Sequence, residues 1–216
     1  MTQTQITPCL QAEGVTKRFT RGSTVIWAVQ DLDLSLAPGE LVAVTGPSLS
    51  GKTTLVELLA GWTRPDQGRV AWGSDTSGGS PPWSYLAVIP QTFALLEELS
   101  VGENILLATR IARRRRASAP ERLDHLLAAM GLDRLRDRGA FEISVGERQR
   151  TMVARALLDR PPVVLADEPV AHQDPHHAEI ILGLLRDAVD DGAACVIATR
   201  RPEVAELADR VVTLTH

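Results

Sequence analysis

Residues 46–54 read Gly46-Pro47-Ser48-Leu49-Ser50-Gly51-Lys52-Thr53-Thr54 and satisfy the pattern GxxxxGK[ST] between an apolar run and a helix-like segment. Each residue type has a physical task in binding phosphate. Gly46 and Gly51 let the backbone wrap closely around oxygens, with successive N–H groups turned inward. A helix opening at Lys52 brings its positive dipole end beneath the same anion. The Lys52 ammonium is placed for the β- and γ-phosphates, and the Thr53 hydroxyl for Mg²⁺. A nucleoside triphosphate is therefore the expected ligand of this loop.

A second chemical feature is the apolar run Pro162-Val163-Val164-Leu165-Ala166, ending in Asp167-Glu168. Successive side chains of a strand point to opposite faces, so the two carboxylates are expected to do different jobs. After a phosphate loop, the first such aspartate holds Mg²⁺ in nucleotide-hydrolysing enzymes. Glu168 is then free to orient or deprotonate the attacking water as a general base. His172, His176 and His177 lie nearby, but with no spaced carboxylate or thiol set they read as ordinary polar positions rather than metal ligands.

Strand-like runs alternating with amphipathic segments must position these groups, and they imply an α/β fold with a mostly parallel sheet. The spacing predicts strands over 10–15, 27–36, 40–45, 86–89, 163–166, 194–198 and 210–214. In the second of these, Leu32, Leu34 and Leu36 alternate with Asp31, Asp33 and Ser35, as in a half-buried strand. Behind the phosphate loop, Leu55, Leu58 and Leu59 anchor a helix. Between about 92 and 160 the period turns helical. Ser100 with Glu103, Ser118 with Glu121 and Ser144 with Glu147 all have capping-box spacing. Leu123, Leu126, Leu127 and Met130 share one helical face that Gly131 is placed to end. The segment 74–83, rich in Gly, Ser and Pro, reads as a surface loop, and Arg113–Arg116 as a solvated basic face.

The 216 residues fit one domain with a small inserted lobe, and 44% apolar residues suffice for a core. A net charge of −4 gives no electrostatic case for nucleic acid. Cys9 and Cys195 match no metal or redox spacing and are expected to be reduced thiols. Neither a signal peptide nor a run of about 18 apolar residues is visible. The chain is thus expected in the cytoplasm, with any membrane role passing through a partner.

The segment Glu142-Ile143-Ser144-Val145-Gly146-Glu147-Arg148-Gln149-Arg150 resembles the signature of ABC transporter ATPases, LSGGQ or LSGGE followed by a polar pair. Ala166-Asp167-Glu168-Pro169 looks like that family's Walker B ending, and Asp174 matches its D-loop aspartate. Gln91 follows an apolar strand as the Q-loop glutamine does, and Phe19 sits where these ATPases stack an aromatic ring on adenine. The resemblance runs from about Leu10 to Leu214. Val15-Thr16-Lys17-Arg18-Phe19 looks most like the short ATPases of lipoprotein-release and macrolide-export transporters.

The resemblance implies a P-loop NTPase core, at about 1–90 and 155–216, with an N-terminal antiparallel β subdomain and a helical subdomain at about 91–154. ATP and Mg²⁺ are the implied ligands. Gln91 joins Thr53 and Asp167 near the metal, and Lys52, Glu168, Gln91 and Arg200 near the reacting phosphate. Two ATPase subunits would pair head to tail, each ATP lying between one phosphate loop and the partner's Ser144, Gly146, Glu147 and Asp174. The dimer would drive a separate membrane permease from the inner face of the cell membrane.

Three positions depart from the family pattern. Leu49 and Val145 stand where glycine is usual, and Arg200 where the switch histidine is usual. Leu49 is expected to leave binding intact, whereas Val145 adds β-branched bulk at a helix N-terminus. Arg200 keeps a cation but not imidazole geometry. Either it holds the γ-phosphate, or it points away and hydrolysis is slow. Pairing with a different, regular ATPase subunit is the favoured expectation over a homodimer. The alternative function is a nucleotide-gated scaffold that controls a membrane partner with little hydrolysis.

Overall fold

A computed structural model describes residues 7–74, 80–111 and 119–215. The basic run at 113–116 and the capping serine at 118 lie outside the described residues. Two sheets carry the fold. The first is antiparallel and built from β1 (Leu10–Arg21), β2 (Thr24–Leu36) and β4 (Gln67–Trp72), in the order β2-β1-β4. The second contains β3 (Leu41–Thr45), β5 (Leu86–Ile89), β6 (Val163–Asp167), β7 (Ala194–Thr199) and β8 (Arg210–Thr213), in the order β5-β6-β7-β3-β8. Every pairing in it is parallel.

The parallel strands β3, β6 and β7 are short, uninterrupted apolar runs, buried along essentially their whole length, as strands covered on both faces must be. Alternation divides their side chains between two cores. Val42, Val44, Val163, Leu165 and Val196 pack with Leu34, Leu36, Leu55 and Leu59 beneath the antiparallel sheet and α1 (Lys52–Leu59). Leu41, Val164, Ala166, Cys195 and Ile197 pack on the other face. Burial pushes the Cys195 thiol up to about 12, so it is an inert core group.

That second face is covered by α2 (Val101–Ile111), α3 (Ala119–Ala129), α4 (Val145–Leu157) and α5 (Pro175–Asp190), with a short α6 (Pro202–Ala205) near the end. Helices α2 to α4 lie between β5 and β6 in sequence. The Ser100–Glu103 box is formed in both directions. Asn104, fully buried, accepts from the Leu96 amide and donates to the Leu96, Leu99 and Ser100 carbonyls, so it fixes the chain leading into α2. Gly131, in the left-handed region at φ 63°, follows the end of α3.

The strand β4 had no predicted counterpart. Its recognition depends on β1, because Gly68 passes so near the Glu13 and Gly14 carbonyls that a Cβ would come within 2.4 Å of them. Local sequence does not contain that contact. Strands β1 and β2 also run further than their apolar patterns, through Arg21 and back from Thr24, because antiparallel pairing continues to the hairpin tip.

Candidate functional site

In a parallel sheet all strands end on the same edge, and loops there meet. The phosphate loop follows β3, Asp167 ends β6, Arg200 follows β7 and Gln91 lies just past β5. Topology alone therefore gathers four of the predicted features on one side of the molecule.

The phosphate loop has the shape its glycines allow. Gly46 lies at φ 152° and Gly51 at φ 90°. A Cβ on Gly51 would stand 1.8 Å from the Ala28 carbonyl oxygen, so β2 presses directly on the loop. Helix α1 has no side-chain cap, which leaves its first-turn amides facing the loop. Lys52 is buried, and its Nζ donates to the Gly46 carbonyl at 2.9 Å and the Pro47 carbonyl at 2.7 Å. Burial is the main influence lowering the Lys52 pKa, opposed by the attraction of Glu168.

Leu49 sits at the tip in the left-handed region at φ 68°, with 97% of its surface exposed. This explains why glycine is the easier residue there: the strain comes from a Cβ in that backbone conformation and not from any collision. The cradle is retained.

Asp167 and Glu168 do diverge, but by a different device from the strand pleat. Strand β6 ends at Asp167, and Glu168 adopts φ 49° in the left-handed region. Asp167 accepts from Thr53 Oγ1 at 2.6 Å. Burial raises its pKa, and the Thr53 hydrogen bond works in the opposite direction. A hydroxyl and a carboxylate in contact form the hard-oxygen set that Mg²⁺ takes together with phosphate oxygens. Thr53 and Asp167 would hold the ion, which supplies neutralisation of phosphate charge.

Glu168 is buried, and both of its oxygens are engaged. Thr199 Oγ1 donates to Oε2 at 3.2 Å, and Arg200 Nε donates to Oε1 at 3.1 Å. Arg200 also donates from Nη1 to Ser48 Oγ at 3.2 Å. The guanidinium thus spans the gap between the phosphate loop and the carboxylate, and it does not point away from the site.

Gln91 shares the sheet edge, yet no hydrogen bond joins it to Thr53 or Asp167 among the described residues. Phe19 lies near the β1–β2 tip, opposite Ile26 and half exposed, with Lys17 Nζ 5.7 Å from its ring centre. Ala28, on the same hairpin, is the residue that touches Gly51. Phe19 and Ala28 thus share one hairpin, of which only Ala28 is seen against the loop.

The signature turn lies elsewhere, at the start of α4. Ser144 caps the helix by accepting from the Glu147 amide at 3.3 Å, and Glu147 Oε2 accepts from the Ser144 amide at 2.7 Å. Those bonds hold the Glu147 carboxyl below its usual range, the Ser144 amide contributing most. Val145 is half exposed, so its bulk is accommodated within this chain. Gly146 is not replaceable in the same way, because a Cβ there would come 3.1 Å from the His172 carbonyl.

Asp174 caps α5, accepting from the His177 amide at 3.0 Å and pairing with His177 Nδ1 at 2.6 Å. These bonds, the His177 side chain first, lower its pKa to about 2. A carboxyl depressed on folding adds stability above its unfolded value, and this is lost as pH falls through the folded value. We predict that stability to urea declines between about pH 4 and pH 2 in the wild type. In Asp174→Asn, which keeps a capping oxygen, the decline over that window should be shallower. Equal slopes would remove the pair from the acid response. No group of three or more His, Cys, Asp or Glu residues suited to a metal ion occurs among the described residues.

Sequence reasoning missed Thr199, Gln173 and the bond from Gln173 to Arg150 of the signature segment. Thr199 carries a faint signal, as a hydroxyl ending an otherwise apolar strand. Gln173 and Arg150 meet only through the packing of α4 against the loop before α5.

A phosphate loop beneath a helix start, a threonine–aspartate pair and a buried glutamate at one sheet edge define a P-loop nucleotide hydrolase. The family model for ABC transporters matches residues 29–171. The chain belongs to the ABC transporter family and is an ATP-binding, ATP-hydrolysing subunit that uses Mg²⁺. It is 38% identical over 213 residues to lipoprotein-releasing system ATP-binding protein LolD 1 of Rhodospirillum rubrum, covering 95% of this chain and 94% of that one. Methionine import ATP-binding protein MetN of Bordetella pertussis is 36% identical over 215 residues, and this chain spans 59% of its length. A dimeric ATP-binding cassette in a post-hydrolysis state, bound to ADP and Pi, superposes with a TM-score of 0.87 at 27% identity, covering 95% and 94% of the two chains. No helix among the described residues is long and apolar enough to cross a membrane.

Proposed function

We propose that this chain is a lipoprotein-release-type ATPase subunit that pairs head to tail with a second ATPase and drives a permease from the inner face of the membrane. The end-to-end match to a lipoprotein-releasing ATP-binding protein supports the subgroup. The working domain is a nucleotide core at about 1–90 and 155–216 with a helical lobe at about 91–154. Lys52 and the loop amides bind the β- and γ-phosphates, and Phe19 stacks on adenine. Thr53, Asp167 and Gln91 serve Mg²⁺, and Glu168 is the general base. The partner subunit's copies of Ser144, Gly146, Glu147 and Asp174 complete each site.

The single observation that carries the reading is Glu168, a buried carboxylate fixed beside the phosphate loop by Thr199 and Arg200. The Arg200 guanidinium, bonded to both Ser48 and Glu168, supports a contact to the γ-phosphate in place of the usual imidazole. Because Arg200 engages the general base itself, turnover is expected to be slow. A partner with a regular signature and switch residue would raise it. The same bond favours one second reading, a nucleotide-gated scaffold with little hydrolysis.

An apolar cleft of about 490 Å³ lies between the end of α1, the 80–90 segment, α2 and α4. Trp62 and Trp83 stand exposed in its lining, which suits docking of an apolar permease segment. Steady-state ATP hydrolysis tests the whole reading, with MgATP affinity measured beside it. Arg200→His should raise turnover by as much as about 10²–10³-fold, the scale of one well-placed electrostatic contact. Lys52→Ala should abolish binding. Binding without hydrolysis in both wild type and Arg200→His would leave the scaffold.

A further inference from the structure

The loop between Glu168 and α5 is hydrogen-bonded to the signature turn through the Gln173 side chain. Gln173 Nε2 donates to the Gly146 carbonyl at 3.0 Å, and Gln173 Oε1 accepts from Arg150 Nη1 at 3.1 Å. Arg150 is 9% exposed, and burial is the main influence lowering its pKa, opposed by the attraction of Glu147 and Asp174. Its cation therefore has little water to fall back on, and the Gln173 amide is its direct hydrogen-bond acceptor. Next to Gln173, the His172 carbonyl stands close against Gly146, where even a methyl group would be tight.

The consequence follows from where this amide sits. Ser144 and Glu147 use each other's backbone groups in the capping box, which closes the turn on itself, and the buried face of α4 seats it on the core. Gln173 adds a side-chain link from the turn to the loop that follows Glu168. It is five residues past Glu168 along a loop whose far end, Asp174, caps α5.

We infer that Gln173 is a positioning residue that holds the Ser144–Glu147 turn in register with the chain's own Glu168, so that the two nucleotide sites of a dimer are coupled through its carboxamide. The inference rests on the reading that this turn meets nucleotide on a second subunit. Gln173 itself contacts neither phosphate nor base.

The experiment uses the full chain carrying Glu168→Gln, with and without Gln173→Leu or Gln173→Glu. Three quantities are measured: amide exchange at Glu147 and Arg148, MgATP affinity of the single chain, and MgATP-driven dimerisation. Gln173→Leu removes both bonds. It should speed exchange at those amides about 3- to 10-fold, the scale of one net hydrogen bond, and weaken dimerisation about 10-fold. MgATP affinity of the single chain should change less than about 2-fold, which a general loss of fold would not allow. Gln173→Glu keeps an acceptor for Arg150 but sets a carboxylate against the Gly146 carbonyl. It should preserve thermal stability and still lose dimerisation. Unchanged exchange in Gln173→Leu, or parent-like dimerisation in Gln173→Glu, would overturn the inference. If the parent itself does not dimerise with MgATP, the paired-subunit reading fails, and the exchange result alone decides the role of Gln173.

Discussion

Glu168→Gln should keep MgATP affinity within a few-fold of wild type while turnover falls by about 10²–10⁴, the range of a lost general base. The substitution is nearly isosteric. Gln accepts from Arg200 Nε as Glu does, and its amide nitrogen meets Thr199 Oγ1, a hydroxyl able to accept as well as donate. The buried, left-handed geometry at φ 49° is therefore kept, because the side chain that fills it has the same shape. What disappears is the negative charge able to take a proton from water. Retained binding with lost turnover assigns Glu168 to the chemical step. Turnover within about 3-fold of wild type would place the base elsewhere. Loss of binding along with turnover would mean that the Glu168–Arg200–Ser48 chain shapes the phosphate loop.

The second large effect is expected at Gly51→Ala. The residue lies at φ 90°, where a Cβ alone costs about 1–2 kcal/mol. The larger demand is steric, since the added carbon would stand 1.8 Å from a backbone oxygen, the carbonyl of Ala28. Backbone has no rotamer with which to yield, so β2 and the start of α1 must part. The urea midpoint should fall with little change in slope, and MgATP affinity should drop at least about 10-fold, because the amides of the loop lose their common focus. Gly183→Ala is the control. An added Cβ there has nothing within 4 Å, and an alanine inside α5 is worth up to about 1 kcal/mol of helix propensity. A Gly51→Ala protein with normal midpoint and normal binding would show that the hairpin and the loop are not held in contact in solution.

These predictions differ in what the sequence alone could support. The phosphate loop, the Asp167–Glu168 pair, the signature capping box and the apolar strands are local patterns. Each depends on residues within a few positions of one another, so residue type and spacing suffice to read them. Leu49 shows the limit of that reading. Its position in the motif is visible in the sequence, whereas its left-handed backbone, and so the reason for glycine in relatives of the pattern, is not.

The amino-acid sequence by itself determined an α/β nucleotide-binding chain of the ABC type, because its motifs are short-range and its strands are continuous apolar runs. Only the tertiary structure decided which way Arg200 points, what holds Glu168, and how the signature turn is attached. Arg200 meets Ser48 from 152 positions away, and Thr199 meets Glu168 from 31. Gln173 reaches Gly146 across 27. Such contacts are set by strand order in the parallel sheet and by the packing of α4 on the D-loop. Neither leaves a periodic trace in the chain, because a side chain's partner across a fold depends on where two separate backbones are placed and not on its own neighbours.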